Sequence, residues 1–429
     1  MTLRPALLTL TLAAALPAHA ATTALHCGNV FDAKSGRLLG SQTVIVEDGR
    51  IKALQAGRAA VDGATVIDLS SLTCSPGWID LHVHVGQESN PNSYSEGFRL
   101  DDVDFALRAT QYTRRTVEAG FTTVRDLGGE IAPNLRDAIN AGTIPGPRIF
   151  AAGKSIATTG GHADPTNGLN SRLASLVGPP GPTEGVINGT DDAREAVRQR
   201  YKDGSDTIKI TATGGVLSYA RSPDAPQFTV EEIRAIVDTA KDYGYTVAAH
   251  AHGDVGMRRA IEGGVTTIEH GTFMSDATMR LMKEKGTWYV PTLSAGRFVG
   301  EKAEIEGFYP AIVRPKARAV GKQIMATFSK AYSMGVPIAF GTDAGVSPHG
   351  DNAREFEFMV EGGMPANVAL QTATLNAATV LGAADLGQIA PGFHADIVAV
   401  PGNPLADIAL TRKVAFVMKG GAVVKPLAN

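Results

Sequence analysis

The chain is poor in sulfur chemistry. Among 429 residues there are two cysteines, Cys27 and Cys74, and neither lies in a Cys-x-x-Cys pair or beside a histidine. That spacing argues against a thiol catalyst. In an oxidising compartment the two could pair, provided their Cα atoms come within about 7 Å. An excess of charge of one sign is also missing: 40 Lys and Arg stand against 43 Asp and Glu, a formal balance of -3. No basic field exists to attract nucleic acid or anionic lipid, so a small molecule is the expected partner. The one long apolar run is at the amino terminus, where MTLRPALLTLTLAAALPAHA, residues 1–20, reads as a signal peptide cleaved after Ala20 at the Ala18-His19-Ala20 site. Interrupted by Thr and Pro, it falls short of the ~20 apolar residues of a membrane span. The expectation is an exported protein, periplasmic or secreted, with no membrane anchor.

What is present is a march of alternating elements. Past the leader, TVIVEDGRIKAL and ATVIDLSSLTCSPG alternate apolar and polar residues, as strands of a small sheet do. From residue 77 onward, eight strand-like runs, from WIDLHVHV to PIAFGTDAG, alternate with helical ones that tend to stop at Gly before the next strand. Such alternation implies a parallel sheet, and eight units imply an α/β fold closed as a (β/α)8 TIM-like barrel, placed here at residues 77–387. The tail returns to strand alternation in GFHADIVAVPGNP and VAFVMKGGAVV. Residues 21–76 and 388–429 are therefore expected to form one small β-sandwich domain built from both chain ends.

A barrel of this kind carries its chemistry at the carboxyl ends of its strands. His82 and His84 end the first, Lys209 lies in the fourth (TIKITATGG), His250 and His252 end the fifth (VAAHAHG), His270 the sixth (TIEHG) and Asp343 the eighth (FGTDAG). Side chains at i and i+2 of a strand share a face, so each His-x-His could chelate. One such residue alone is more often structural, but together they converge on one mouth. Lys209 is the oddest, because its neighbours Ile208 and Ile210 face the helices and leave an ammonium aimed into the barrel, where an unpaired charge is costly. Reaction with carbon dioxide would turn it into an anionic carbamate able to bridge two cations. With four neutral histidines, the carbamate, Asp343 and a hydroxide against two divalent ions leave a net charge of about +1, a Lewis-acidic balance.

This pattern resembles the amidohydrolase superfamily, whose binuclear members show His-x-His on strand 1, a carboxylated lysine on strand 4, histidines on strands 5 and 6 and an aspartate on strand 8. TTGGH, IKITATGGV, VAAHAHG, IEHGT and FGTDAG are similar to the imidazolonepropionase-related branch with Xaa-Pro dipeptidases and ochratoxin-hydrolysing amidases. The resemblance implies two divalent ions, zinc being the first expectation, held by His82, His84, Asp343, His250 and His270, with N6-carboxylated Lys209 bridging them. It implies that a bridging hydroxide attacks an amide and that Asp343 carries the proton to the leaving nitrogen. Spacing leaves open whether His250 or His252 is the strand 5 ligand; similarity favours His250 and gives His252 a substrate or oxyanion role.

In the Gly-rich loop after strand 4, Tyr219 is a candidate oxyanion donor and Arg221 a candidate carboxylate receptor, as is His162 after strand 3. Asp126 could orient a ligand or cap a turn, while His349 and His394 read as structural. The substrate implied is a dipeptide, N-acyl amino acid or ochratoxin A-type conjugate, and related enzymes are often homo-oligomers, up to octamers. Two further readings stay open: a mononuclear cyclic-imide hydrolase or deaminase, and a non-catalytic exported solute-binding protein.

Overall fold

The computed structural model describes residues 22–219 and 221–428; the predicted leader, residues 1–20, lies outside them. Strands from both ends of the chain join along one hydrogen-bonded path. In order these are Ala422–Lys425, Phe416–Lys419, Ile397–Pro401, Thr65–Pro76, Thr23–Asp32, Gln42–Glu47 and Arg50–Ala56, with Arg37–Leu38 paired to Thr23–Asp32. The carboxyl-terminal strand Ile397–Pro401 lies antiparallel to Thr65–Pro76, with Ala399 opposite Cys74. Leu25, Val44, Leu69 and Ile397 share one apolar core with both cysteines, and Cys27 and Cys74 form a disulfide across a Cα separation of 6.0 Å. The pairing that the sequence only permitted is present.

The larger body is the (β/α)8 barrel. Trp78–Val83, Phe121–Asp126 and Arg148–Ala151 run parallel in one ladder, and Ile208–Thr211, Val247–Ala251, Thr267–His270 and Trp288–Val290 in another. Shorter contacts join the two arcs. Ile156 donates to the Lys209 carbonyl and accepts from the Thr211 amide, which links the third strand region to the fourth. The eighth predicted strand is not a regular strand, yet it closes the ring. Tyr289 N–H reaches Pro337 O on one side, while Asp343 N–H reaches His82 O and His84 N–H reaches Ala344 O on the other. Gly341 makes this approach possible, since a Cβ there would stand 2.3 Å from Val290 Cγ1 and 3.1 Å from His82 Cβ.

The helices follow from local sequence. In Val230–Asp242, Thr229 accepts the Glu232 amide and the Glu232 carboxylate returns to the Thr229 amide. This capping box is worth about 1 kcal/mol. Ile233, Ile236, Val237 and Ala240 then recur on the buried face, the spacing of an amphipathic helix. Val313–Ser333 is a long helix between the seventh strand and the eighth strand region. Leu293–Lys302 was not foreseen. Its Gly296 and Gly300 are weak helix formers, but they let the helix approach Val313–Ser333 closely, where a Cβ on Gly300 would meet Gly321 Cα at 3.1 Å. The Glu355 carboxylate supplies its start by accepting the Leu293 and Ser294 amides at 2.8 and 2.7 Å. No helix among the described residues is long and apolar enough to cross a membrane.

Candidate metal centre

Lys209, His82, His84, His250, His252, His270, Asp343 and His162 all line one cavity of about 640 Å3 at the carboxyl ends of the barrel strands. His82, His270 and Asp343 each offer an atom within 4.8 Å of the others, and so do His250, His252 and His270. The two trios share His270, so the cavity presents two adjacent sets of donors.

The outer nitrogen of each ring reveals which inner nitrogen is free. A carbonyl or carboxylate oxygen only accepts, so a ring nitrogen bonded to it must carry the proton. His82 donates through Nδ1 to Glu269 Oε2 at 2.8 Å, and His84 through Nδ1 to Gly128 O at 2.8 Å. Their Nε2 atoms face Asp343 Oδ1 at 3.6 and 3.3 Å. His250 donates through Nε2 to Gly214 O at 3.1 Å, which frees Nδ1. His270 Nδ1 lies 2.7 Å from Thr292 Oγ1, whose own hydrogen goes to Pro291 O, so the ring donates and Nε2 is free. His252 is different. Its Nδ1 contacts Thr272 Oγ1 at 2.9 Å, a hydroxyl that can donate or accept, so no tautomer is imposed. Fixed tautomers backed by outer acceptors are the usual support of metal-ligating histidines.

Electrostatics favour the same use. Burial, reinforced by Lys209, holds His82 well below the ordinary imidazole range. Burial does likewise for His250 and His270, with neighbouring histidines adding to it. Neutral rings present lone pairs. Burial alone would lower His84 too, but the Asp343 and Asp126 carboxylates outweigh it and push that ring up, as expected where an anion is waiting for a cation. Asp343 Oδ1 is buried with no hydrogen-bond donor among the described residues. Free imidazole nitrogens and an orphaned carboxylate oxygen facing one space form a donor set suited to a divalent cation. Lys209 is 3 % exposed, its Nζ lies 3.4 Å from His82 Nε2, and burial lowers its pKa to about 8. Such an amine is partly unprotonated near neutrality, the form that can take up carbon dioxide.

Backbone strain accompanies two of the candidate ligands. His270 and Asp343 sit at φ 70 and 58, a left-handed conformation that costs non-glycine residues of order 1–3 kcal/mol. At His270 it breaks strand alternation, so that Glu269 and His270 both project into the barrel. Sequence reasoning missed Glu269 and its partner Arg125. Both are fully buried, paired at 2.9 Å, and Thr267 donates to the same carboxylate. The signal was available in TTVRDL and TTIEHG, where a charge stands inside a strand run as conspicuously as Lys209 does.

Asp126 accepts the Val85 and Gly128 amides at 2.7 and 3.1 Å, which fixes the Gly128 carbonyl that holds His84. It thus caps a turn and thereby helps to orient the His84 ring. His349 donates through Nε2 to the backbone carbonyls of His84 and Gln87, meets Thr116 Oγ1 through Nδ1 at 3.3 Å and stacks on Tyr112; His394 lies 3.4 Å from Asp385. Both are structural, as expected. His162 stacks on His250 with ring centroids 4.4 Å apart, and its Nδ1 is buried without a partner among the described residues.

Tyr219 and Arg221 do not reach the cavity. Tyr219 is 44 % exposed and sits edge-on to Tyr94, and Arg221 is exposed. The loop is pinned by its carbonyls. Lys316 Nζ donates to Gly215 O and Ser218 O at 3.0 and 2.6 Å, and Tyr94 donates to Leu217 O at 2.7 Å. That arrangement puts Val216 and Leu217 on the cavity wall and leaves Tyr219 and Arg221 outside.

Comparison with known proteins agrees with this geometry. The profile of the amidohydrolase family matches residues 73–424. Ochratoxinase of Aspergillus niger is 33% identical over 369 residues, covering 82% of this chain and 75% of that protein. The crystal structure of a Xaa-Pro dipeptidase with methionine bound in its active site superposes with a TM-score of 0.91 at 51% identity, covering 94% of this chain and 99% of that one. The crystal structure of A. niger ochratoxinase gives 0.82 at 29% identity, covering 95% and 96%.

Proposed function

The chain belongs to the amidohydrolase family and is a hydrolase acting on amide bonds; from that premise we propose that it cleaves acyl groups from carboxyl-terminal amino acids at a pair of divalent cations. The observation that carries the reading is the set of lone pairs at His82, His84, His250, His270 and Asp343 around Lys209 in one cavity. His82, His84 and Asp343 would hold one ion and His250 and His270 the other, with the Lys209 carbamate between them. Zinc suits the ligands. When bound, such ions polarise a carbonyl and acidify water.

The chain's own groups do the rest. Asp343 accepts a proton from the attacking water and delivers it to the leaving nitrogen. His162 and His252, both on the cavity wall, donate N–H to the substrate carboxylate and the developing oxyanion. Free amino acid as product accords with the methionine held by the Xaa-Pro dipeptidase, and an ochratoxin-type conjugate accords with the name of the A. niger relative. Export belongs to the same proposal, supported by the leader sequence and by a disulfide between Cys27 and Cys74.

The test is release of free amino acid from dipeptides, N-acyl amino acids and ochratoxin A, run beside elemental analysis. About two ions per chain with turnover supports the reading. One ion with ring-opening or deamination would transfer the protein to the mononuclear class, and no metal with no turnover would leave a binding protein.

A further inference from the structure

Beside the metal cavity lies a second chamber of about 350 Å3, about a dozen times the roughly 30 Å3 that liquid water takes per molecule. The two share Gln87, Leu217 and Val346 as walls, so the chamber adjoins the space where the ligand cluster lies. Its lining includes the aromatic side chains of Tyr94, Phe105, Tyr112 and Tyr309. Its acids are already matched. Glu88 pairs with Arg115 at 2.7 Å and accepts the His349 amide, and Glu96 pairs with Arg108 at 2.8 Å. A charged guest would find no opposite charge to spare. One polar group does lack a partner: the Tyr309 hydroxyl, on a residue 5 % exposed, is buried without a hydrogen bond among the described residues. A buried, unpaired hydroxyl costs free energy that a ligand acceptor would recover.

The ring order says which part of a substrate reaches this chamber. His252 follows the fifth strand and His162 stacks on His250 of that strand. The chamber is built on residues 86–97 and 345–346, which follow the first and eighth strands, across the barrel from the fourth and fifth. A substrate whose carboxylate lies against His162 and His252 therefore extends its other end toward Leu217 and Val346.

We propose that this chamber is the acyl subsite, that it takes an uncharged aromatic group of one or two rings, and that Tyr309 donates its hydroxyl hydrogen to an oxygen on that group. The assignment rests on the amide-cleaving reading above. Leu217 borders both spaces, and its position is set by Tyr94 and by the ties from Lys316 on either side of it.

Gly97 gives a way to fill the chamber without strain. It lines the space, its φ is -60, and an added Cβ would meet nothing within 4 Å. The experiment compares kcat/KM for N-acetyl-phenylalanine, N-(2-naphthoyl)-phenylalanine and the 3-hydroxy-2-naphthoyl analogue in the holoenzyme, in Gly97→Trp and in Tyr309→Phe. Gly97→Trp is expected to lower the naphthoyl to acetyl ratio by about 10-fold or more. Tyr309→Phe, which keeps the ring, is expected to lower the hydroxynaphthoyl to naphthoyl ratio several-fold. Ratios that stay within about twofold in both variants overturn the subsite while the functional reading stands. Hydrolysis of none of the three by the unaltered enzyme sinks the reading and the subsite together.

Discussion

Two His-x-His pairs of identical spacing meet different fates in this barrel. On the first strand, His82 and His84 each give their outer nitrogen to a pure acceptor, Glu269 and Gly128 O, and both inner nitrogens face Asp343. On the fifth, only His250 does so, through the opposite nitrogen to Gly214 O. His252 instead contacts a hydroxyl and lies flat against His270, with ring centroids 5.0 Å apart. Spacing fixes the face of a strand, but the outer partner fixes which lone pair is offered. The first pair offers two nitrogens suited to a cation, and the second one such nitrogen and one group left able to gain or lose a hydrogen bond.

The largest effect should come from the group standing between the pairs. Lys209→Ala is expected to lower turnover roughly a thousandfold or more and to remove bound metal, read by amino acid release and elemental analysis. Full activity in that variant would falsify the bridging role. Next, His84→Asn and His250→Asn should each lose an ion and most activity, whereas His252→Asn keeps the metal content and loses about a hundredfold in kcat/KM. If His252→Asn is the one that releases metal, the contrast between the pairs is reversed. A smaller loss is expected from Glu269→Gln, which retains shape but weakens the hold on His82; metal affinity should fall about 10- to 100-fold in competition with a chelator.

The smallest effect on catalysis should follow from a change that touches neither pair. Cys27→Ser with Cys74→Ser leaves the cavity intact. Activity at moderate temperature should be unchanged, while stability drops by about 4 kcal/mol in the chain-entropy treatment of a loop with a sequence separation of 47, measured by denaturant unfolding. A loss of activity at full folding would mean that the small sheet acts on the barrel mouth.

Much of this was legible beforehand. Strand ends, the His-x-His motifs and an isolated lysine between isoleucines are local features, and alternation of elements with period-2 and period-3.6 patterning does not depend on distant contacts. Leu293–Lys302 escaped notice because its glycines serve a helix crossing rather than helix propensity, and its start is capped by Glu355 from 62 residues away. Tyr219 and Arg221 were expected at the site from their place in a Gly-rich loop. The loop instead takes its course from Lys316 on a helix about a hundred residues later, and no local pattern announces such a tie.

The sequence by itself determined the barrel, the strand ends at which its candidate ligands stand and the residue types that could bind cations, because period and side-chain chemistry are properties of short segments. Only the tertiary structure decided which nitrogen of each imidazole is free, that Glu269 and Arg125 complete the interior, and that a second chamber adjoins the first. Those outcomes depend on acceptors and walls brought together from distant parts of the chain, and a hydrogen bond or a cavity exists only where the fold has set both sides in place.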